Sequence, residues 1–468
     1  MSRRFHPKDS VIQELVQLFE DSIVDNTNAF LQEEELEHLI EYYESVYDMN
    51  KAFMVVERGI ELYAYSSNFW VKKAQMHFKS GDNTLAWEAL ERATVFESES
   101  SDILLLSADI LTAEERYDEA LVKLERLVDF VSKDEKIDVW LEIADVYDIS
   151  GQQENFEATL RYVLHKAPMN EEALYRYWTM VSIREETKSS IPLFKKITHV
   201  APYNNLAWSL LANAYEHNEM YAESIEAYEF SLAIKDEFYV SNDYAGCLQK
   251  IEEWEKAISV YHEMLALFNK DTRVHMEIAH CEVKRKNLDA AIVHFELAKK
   301  GAKRKEEKAD CEYEMGTTYV TFGNHIQAIT HFHNAIELRP KKGKYWNALG
   351  KAYRKLNRIE DASKCFLQSL EKSDEHPKRW LRLVSCYHEL GLTDRAIEAL
   401  HRAQLILPNH VKLNYAYAAH LLHHNFSQSG LLQLGHALSL DATKKNYIFV
   451  LFPELRDHDG VTQLCEQY

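Results

Sequence analysis

The chain repeats itself every 34 residues, and no other feature narrows its possible folds as far. Trp346, Leu349, Gly350, Tyr353, Ala362 and Phe366 are followed 34 positions later by Trp380, Leu383, Val384, Tyr387, Ala396 and Leu400. One period earlier stand Met315, Gly316, Tyr319, Ala328, Phe332, Ala335 and Pro340. Extending the frame backwards gives units starting at 33, 67, 101, 137, 171, 205, 238, 272, 309, 343, 377 and 411, never fewer than 33 or more than 37 residues apart. Such a period means that one supersecondary unit has been copied. A unit this small cannot bury its apolar face alone, so neighbouring copies must stack on one another.

Composition says which kind of unit it is. Only 13 Gly and 8 Pro are spread over 468 residues, against 26 Tyr and 20 Phe, which suits helices better than turn-dense sheets or Gly-rich phosphate-binding folds. Small residues recur where helices must approach closely. Ala52, Ala86, Ala120, Ser190, Ser224, Ala257, Ala291, Ala328, Ala362, Ala396 and Gly430 share one place in the unit. Ala74, Ala108, Ala144, Ala212, Ala245, Ala279, Gly316, Gly350 and Ala418 share another. Hydrophobic residues at 46% and charged residues at 28% supply a large core under a polar surface, and no run approaches the roughly 18 apolar residues of a membrane span.

The order Trp, Leu, Gly, Tyr, then Ala, an aromatic, Ala and Pro resembles the tetratricopeptide repeat (TPR) family. Trp140, Ile143, Ala144, Tyr147 and Pro168 fit it, as do Trp208, Leu211, Ala212 and Tyr215. The likeness runs over about residues 33 to 444, and its whole-chain form is similar to uncharacterised bacterial proteins built almost wholly of these units. It implies an all-α fold, an α-solenoid (right-handed superhelix) of about twelve helix-turn-helix repeats. Residues 1–32 are expected to hold an N-terminal capping helix, with Val11, Leu15, Leu18 and Phe19 against the first repeat, and residues 445–468 a helical cap at the other end.

Some positions depart from the pattern. Phe156 takes a small-residue place, as does Trp178, and Leu127, Val163 and Ile197 replace a third small residue in successive units. Bulk at close contacts spreads helices, so a change of superhelical pitch is expected between about 127 and 197. Glu282 stands where other units favour Tyr, and the repeat from 272 is expected to be frayed or solvent-open there.

No segment carries a Gly-rich loop, a nucleophile elbow or a metalloprotease motif, and every long stretch belongs to a repeat. The expected protein is therefore not an enzyme and needs no cofactor. His420 and His424 lie four apart on one helix face with His423 beside them, but no carboxylate or thiol between 411 and 440 completes a metal site, so no metal is expected. His331 and His333 fall on different faces. Six cysteines include no C-x-x-C pair, and Cys247, Cys281 and Cys386 share a packing place, which fits a reducing compartment. The basic start is followed by an amphipathic segment rather than a signal-peptide core, and the expected location is cytoplasmic.

Charge is the strongest functional signal. Residues 1–140 hold 14 Lys and Arg against 30 Asp and Glu, net −16, whereas residues 299–412 hold 22 against 14, net +8. In the TPR family the first helix of each unit lines the concave surface. On that stripe the early units place Glu34, Glu37, Glu41 and Glu44, then Asp102 and Asp109, then Asp138, Asp145 and Asp148. The later units place Lys344, Lys351, Arg354, Lys378 and Arg382. Like charges at helical neighbour spacing are mildly destabilising, so the glutamates are not explained by stability.

Chaperone-tail receptors of this family clamp a carboxylate with Lys and Asn, then Asn, then Lys and Arg from three repeats. Lys378 and Arg382 match the last pair, but Ala348 replaces the middle Asn, and Tyr313 and Thr317 replace the first pair. The expected role is thus a scaffold that binds a peptide or helix of a protein partner in its groove, an acidic segment in its basic part. A second reading is salt-sensitive end-to-end assembly of copies into a homo-oligomer. RNA binding rests only on the basic run 299–305, and the overall charge of −21 argues against nucleic acid and against an anionic membrane.

Overall fold

A computed structural model describes residues 10–24, 30–98, 100–133, 135–268, 272–373 and 376–468, with the backbone alone at Ser10. These residues form α-helices and short 3-10 turns and contain no strand. The fold is all-α, an α-solenoid, and its packing divides it into two compact units, Met1–Met220 and Tyr221–Tyr468.

The first unit opens with α1 (Ser10–Val24). Helix pairs follow: Glu33–Ser45 with Met49–Leu62 (α2, α3), Ser67–Lys79 with Asn83–Phe96 (α4, α5) and Ser101–Ala113 with Tyr117–Phe130 (α6, α7). Then come Lys136–Ile149 with Gln153–Lys166 (α8, α9), Glu171–Ile183 with Thr187–Val200 (α10, α11), and α12 (Asn205–His217).

The second unit starts with α13 (Tyr221–Ile234) and continues as Phe238–Lys250 with Trp254–Phe268 (α14, α15), Thr272–Lys284 with Leu288–Gly301 (α16, α17) and Lys305–Thr321 with His325–Leu338 (α18, α19). Gly343–Lys355 with Ile359–Lys372 (α20, α21), Pro377–Glu389 with Thr393–Ile406 (α22, α23) and Val411–His423 with Ser427–Leu440 (α24, α25) complete the pairs. The chain closes with α26 (Tyr447–Leu451), a 3-10 turn at Pro453–Asp457, and α27 (Asp459–Gln467).

One backbone device ends each first helix. The turn after it holds a residue in the left-handed region: Tyr47, Gly81, Glu115, Gly151, Glu185, Glu219, Glu252, Lys286, Gly323, Asn357, Gly391 and Asn425. The next residue's N–H then donates to the carbonyl five positions back, as Asp82 does to His77 (3.0 Å) and Leu392 to Tyr387 (2.8 Å). This Schellman closure satisfies carbonyls that the helix end leaves open. Capping side chains start the second helices. Asp48, Asp82, Asn287 and Asn324 each accept the N–H three residues on, at 3.0 to 3.4 Å.

Small residues set how closely the helices approach. Ala52, Ala86, Ala257, Ala328, Ala362 and Ala396 are fully buried. A Cβ on Gly316 would lie 2.6 Å from the Phe332 ring, and one on Gly350 2.8 Å from Phe366. Both rings are buried, so an aromatic of the second helix lies flush on the backbone of the first. The departures from this pattern are absorbed into the first unit's core. Leu127, Phe156, Val163 and Ile197 are all buried, and Trp178 packs on Phe194 at 6.2 Å between ring centres.

Two details differ from the sequence reading. Helix α16 runs unbroken through Glu282, which is buried rather than solvent-open, because the Arg285 guanidinium reaches both its oxygens at 3.1 Å. In α1 the inward face carries Ile12 and Phe19, whereas Val11 is 60% and Leu18 49% exposed. The helix is thus turned so that Phe19 meets Tyr43 (6.2 Å) and Glu20 meets Lys51 (2.5 Å). At the other end Ile448, Phe452, Leu455, Val461 and Cys465 pack on Tyr415, Leu434 and Leu438.

Two alanine substitutions separate the backbone and packing roles of glycine. At Gly391 nothing lies near the added methyl, so Gly391→Ala should lose about 1 kcal/mol through its positive φ of 69° alone. Gly350→Ala must displace the Phe366 ring and should lose about 1–3 kcal/mol. Urea unfolding of the two variants checks both values; an undiminished Gly350→Ala would mean that the ring contact is loose.

Candidate partner-binding faces

The acidic stripe lies in the first unit, and much of it is already engaged. Glu37 accepts from Asn68 of α4, and Glu44 pairs with Lys79 at 3.6 Å. Asp145 accepts the Arg176 guanidinium of α10, which also reaches Glu172 at 2.6 Å. Asp148 accepts from Gln153 at 3.1 Å. Glu34, Glu41, Asp102 and Asp138 remain exposed. Asp109 is half-buried, and burial pushes its carboxyl up; the same holds for Glu142, through burial and then Asp145 and Asp109. An open depression of about 650 Å³ beside this row is lined by Asp145, Asp148, Tyr175, Arg176 and Arg184, so it presents both signs of charge.

The basic stripe lies in the second unit, on α20 and α22. These first helices run side by side, joined by Arg382 Nη1 to Asn347 Oδ1 (2.9 Å) and Arg354 Nη2 to Ser385 Oγ (2.8 Å). Two of its five cations are neutralised. Lys344 binds Asp310 at 2.8 Å and lies 4.6 Å from the Tyr313 ring centre, and Arg354 binds Glu389 at 2.5 Å. The other three, Lys351, Lys378 and Arg382, have no carboxylate partner among the described residues.

Sequence reasoning missed a fourth cation, Arg379, whose Nη1 reaches the Ser373 and Ser369 carbonyls at 3.4 and 3.5 Å and has no carboxylate partner among the described residues. These four groups act on one another. Burial and then Arg382, Lys378 and Arg379 push Lys351 down; burial and then Arg382 push Arg379 down; burial and then Arg354 push Arg382 down. Cations held together against mutual repulsion favour an anion among them. Arg379 was overlooked because it falls one residue off the three-and-four spacing of the stripe.

The thiols, His331 and His333 are taken up by packing and internal hydrogen bonds. The six thiols are buried, and burial first of all pushes Cys281, Cys311 and Cys386 up to about 11, which leaves them poor nucleophiles. His333 pairs with the Tyr353 hydroxyl at 2.9 Å. His331 lies 2.8 Å from Glu312, a buried carboxylate that also takes Lys299 at 2.8 Å and Asn334 at 3.2 Å. Burial opposes the Glu312 charge, yet these partners outweigh it and hold its carboxyl below the ordinary 4.5.

A depressed folded pKa stabilises fully above the unfolded value and is lost as pH falls through the folded one. Stability should therefore decline on acidification below about pH 4.5. Glu312→Gln should lose about 1–3 kcal/mol at pH 7 and flatten that decline, as read by thermal melts across pH.

Stacked helix pairs presenting one row of first-helix side chains define an α-helical repeat protein. The tetratricopeptide repeat family profile matches residues 313–362 and 347–409. Tetratricopeptide repeats are thus recognised in this chain between residues 313 and 409.

A TPR repeat-containing protein of Methanocaldococcus jannaschii is 19% identical over 389 residues, covering 77% of this chain and 66% of that one. The general transcriptional corepressor ssn6 of Schizosaccharomyces pombe is 29% identical over 92 residues, which cover 19% of this chain and 8% of that one. The chain thus spans just under two thirds of the first relative and a small part of the second. The crystal structure of YrrB, described as a TPR protein with an unusual peptide-binding site, aligns at 20% identity and a TM-score of 0.32, covering 39% of this chain and 92% of that one. Among the described residues no helix is long and apolar enough to cross a membrane.

Proposed function

We propose that the protein is a non-enzymatic scaffold whose second unit docks an acidic segment of a protein partner across α20 and α22. The observation that carries this reading is the group Lys351, Lys378, Arg379 and Arg382, four cations on adjacent helices without a carboxylate among the described residues. Asn347 sits among them and can add a neutral donor to a bound carboxylate. Lys344 and Arg354 border the patch as salt-bridged walls and contribute less, since an acidic ligand must first compete with Asp310 or Glu389. The partly exposed Tyr313 ring lies beside Lys344 and offers apolar contact to residues flanking the acids.

Labelled peptides of about twelve residues, one Asp/Glu-rich and one with the acids amidated, test the reading by fluorescence anisotropy. The acidic peptide should bind and the amidated one should not. Lys351→Ala with Lys378→Ala and Arg382→Ala should weaken binding about tenfold or more, and raising salt should weaken it further. Charge reversal at Lys344, Lys351, Lys378 and Arg382 should abolish it. Equal affinity for both peptides, or for the charge-reversed chain, would remove this patch from the function.

Charge asymmetry along the chain supports a competing reading, in which the acidic units of one copy take the place of that ligand. Sedimentation at low and high salt distinguishes the two. A monomer at both salts leaves the patch free for another protein, whereas an oligomer that dissociates with salt assigns it to a second copy.

A further inference from the structure

His388, near the end of α22, faces two histidines at the end of α24. The nearest ring nitrogens of His388, His420 and His424 all lie within 4.8 Å of one another. The two helices belong to successive pairs of the second unit, so stacking, not local sequence, brings the third imidazole in. His420 is 4% exposed, and its Nδ1 is buried with no hydrogen-bond partner; the His424 Nε2 is likewise buried and unpartnered. An imidazole with a spare nitrogen in a closed place is unsatisfied unless something not of the protein completes it.

The surroundings suit a cation. Phe452 closes one side, edge-on to His388 and His420 at 5.1 and 5.0 Å and stacked on His423 at 4.1 Å between ring centres. His423 is turned to Glu454 (2.5 Å), which leaves three imidazoles for the ion and one carboxylate at the rim. His388 is exposed and gives the site its entry.

We propose that His388, His420 and His424 bind one divalent d-block cation, with zinc as the expected ion. Three imidazole nitrogens without an oxygen ligand disfavour calcium and magnesium, and a three-histidine set leaves a fourth position for water. Zinc–nitrogen bonds of about 2.0–2.1 Å place tetrahedral ligands about 3.4 Å apart, so three nitrogens already within 4.8 Å of one another need draw in by no more than about 1.4 Å to close the set. The bound ion would tie α22 to α24 beneath the C-terminal cap. The site is separate from the basic patch, and its test is independent of peptide binding.

Zinc titrated calorimetrically into the metal-stripped full chain should bind with one equivalent at about micromolar affinity or tighter and raise the melting temperature. Cobalt should give the intense visible bands of a four-coordinate ion. His388→Ala, at an exposed position, should fold as the parent does, weaken zinc at least about tenfold and abolish those bands; His424→Ala should do the same. His401→Ala, an exposed histidine elsewhere, should leave binding unchanged. Parent-like affinity and spectra in both His388→Ala and His424→Ala would overturn the proposal, as would an octahedral cobalt spectrum in the parent chain.

Discussion

Contact between an aromatic ring of one helix and the bare backbone of its neighbour is the interaction on which the rest depends. A single helix pair has too little apolar surface to stand alone, so it must bury one face inside the pair and another against the next pair. Rings such as Phe332 and Phe366 do this only because Gly316 and Gly350 let them lie flat on the first helix. That closeness fixes the angle between the helices of a pair. It also decides which side chains stay outside, and a row of first-helix residues is left at the surface.

The small-residue places, being an arithmetic property of the chain, made the all-α solenoid legible before any coordinates. The left-handed residue in each turn was less so. Gly81, Gly151, Gly323 and Gly391 mark it openly, and Asn357 and Asn425 fit it, but Tyr47, Glu115, Glu185, Glu219, Glu252 and Lys286 hold the same conformation without any local signal. Tertiary stacking and the Schellman hydrogen bond impose the geometry there against residue preference. The rotation of α1 was hidden for a related reason. Val11, Ile12, Leu15, Val16, Leu18 and Phe19 form too wide an apolar arc for periodicity to choose a face, and the choice falls to the contacts of Phe19 with Tyr43 and of Glu20 with Lys51.

Site residues were legible as types and positions but not as states. The same stripe spacing selects Lys344, Lys351, Arg354, Lys378 and Arg382, yet partners from neighbouring helices divide them. Asp310 is 34 residues from Lys344 and Glu389 is 35 from Arg354, about one period each, so each cation is answered by the adjoining pair. Arg382 meets Asn347 instead, and Lys351 faces other cations. A charge row read from one chain segment therefore overstates the free charge, because a solenoid's surface electrostatics are settled between copies of the unit.

Stacking between copies also explains why the histidine cluster could not be completed from α24 alone. A search for ligands within one repeat finds His420, His423 and His424 and then stops, since the remaining residues of that repeat offer neither acid nor thiol. His388 lies 32 residues before His420, close to one period, on the helix end that the stack lays beside it. Phe452 and Glu454 come from the far side, out of the closing segment that is not a repeat at all. In a fold of this kind the neighbours of any surface residue are found one period away in each direction, and a cluster of polar groups should be sought along that ladder before it is sought along the chain.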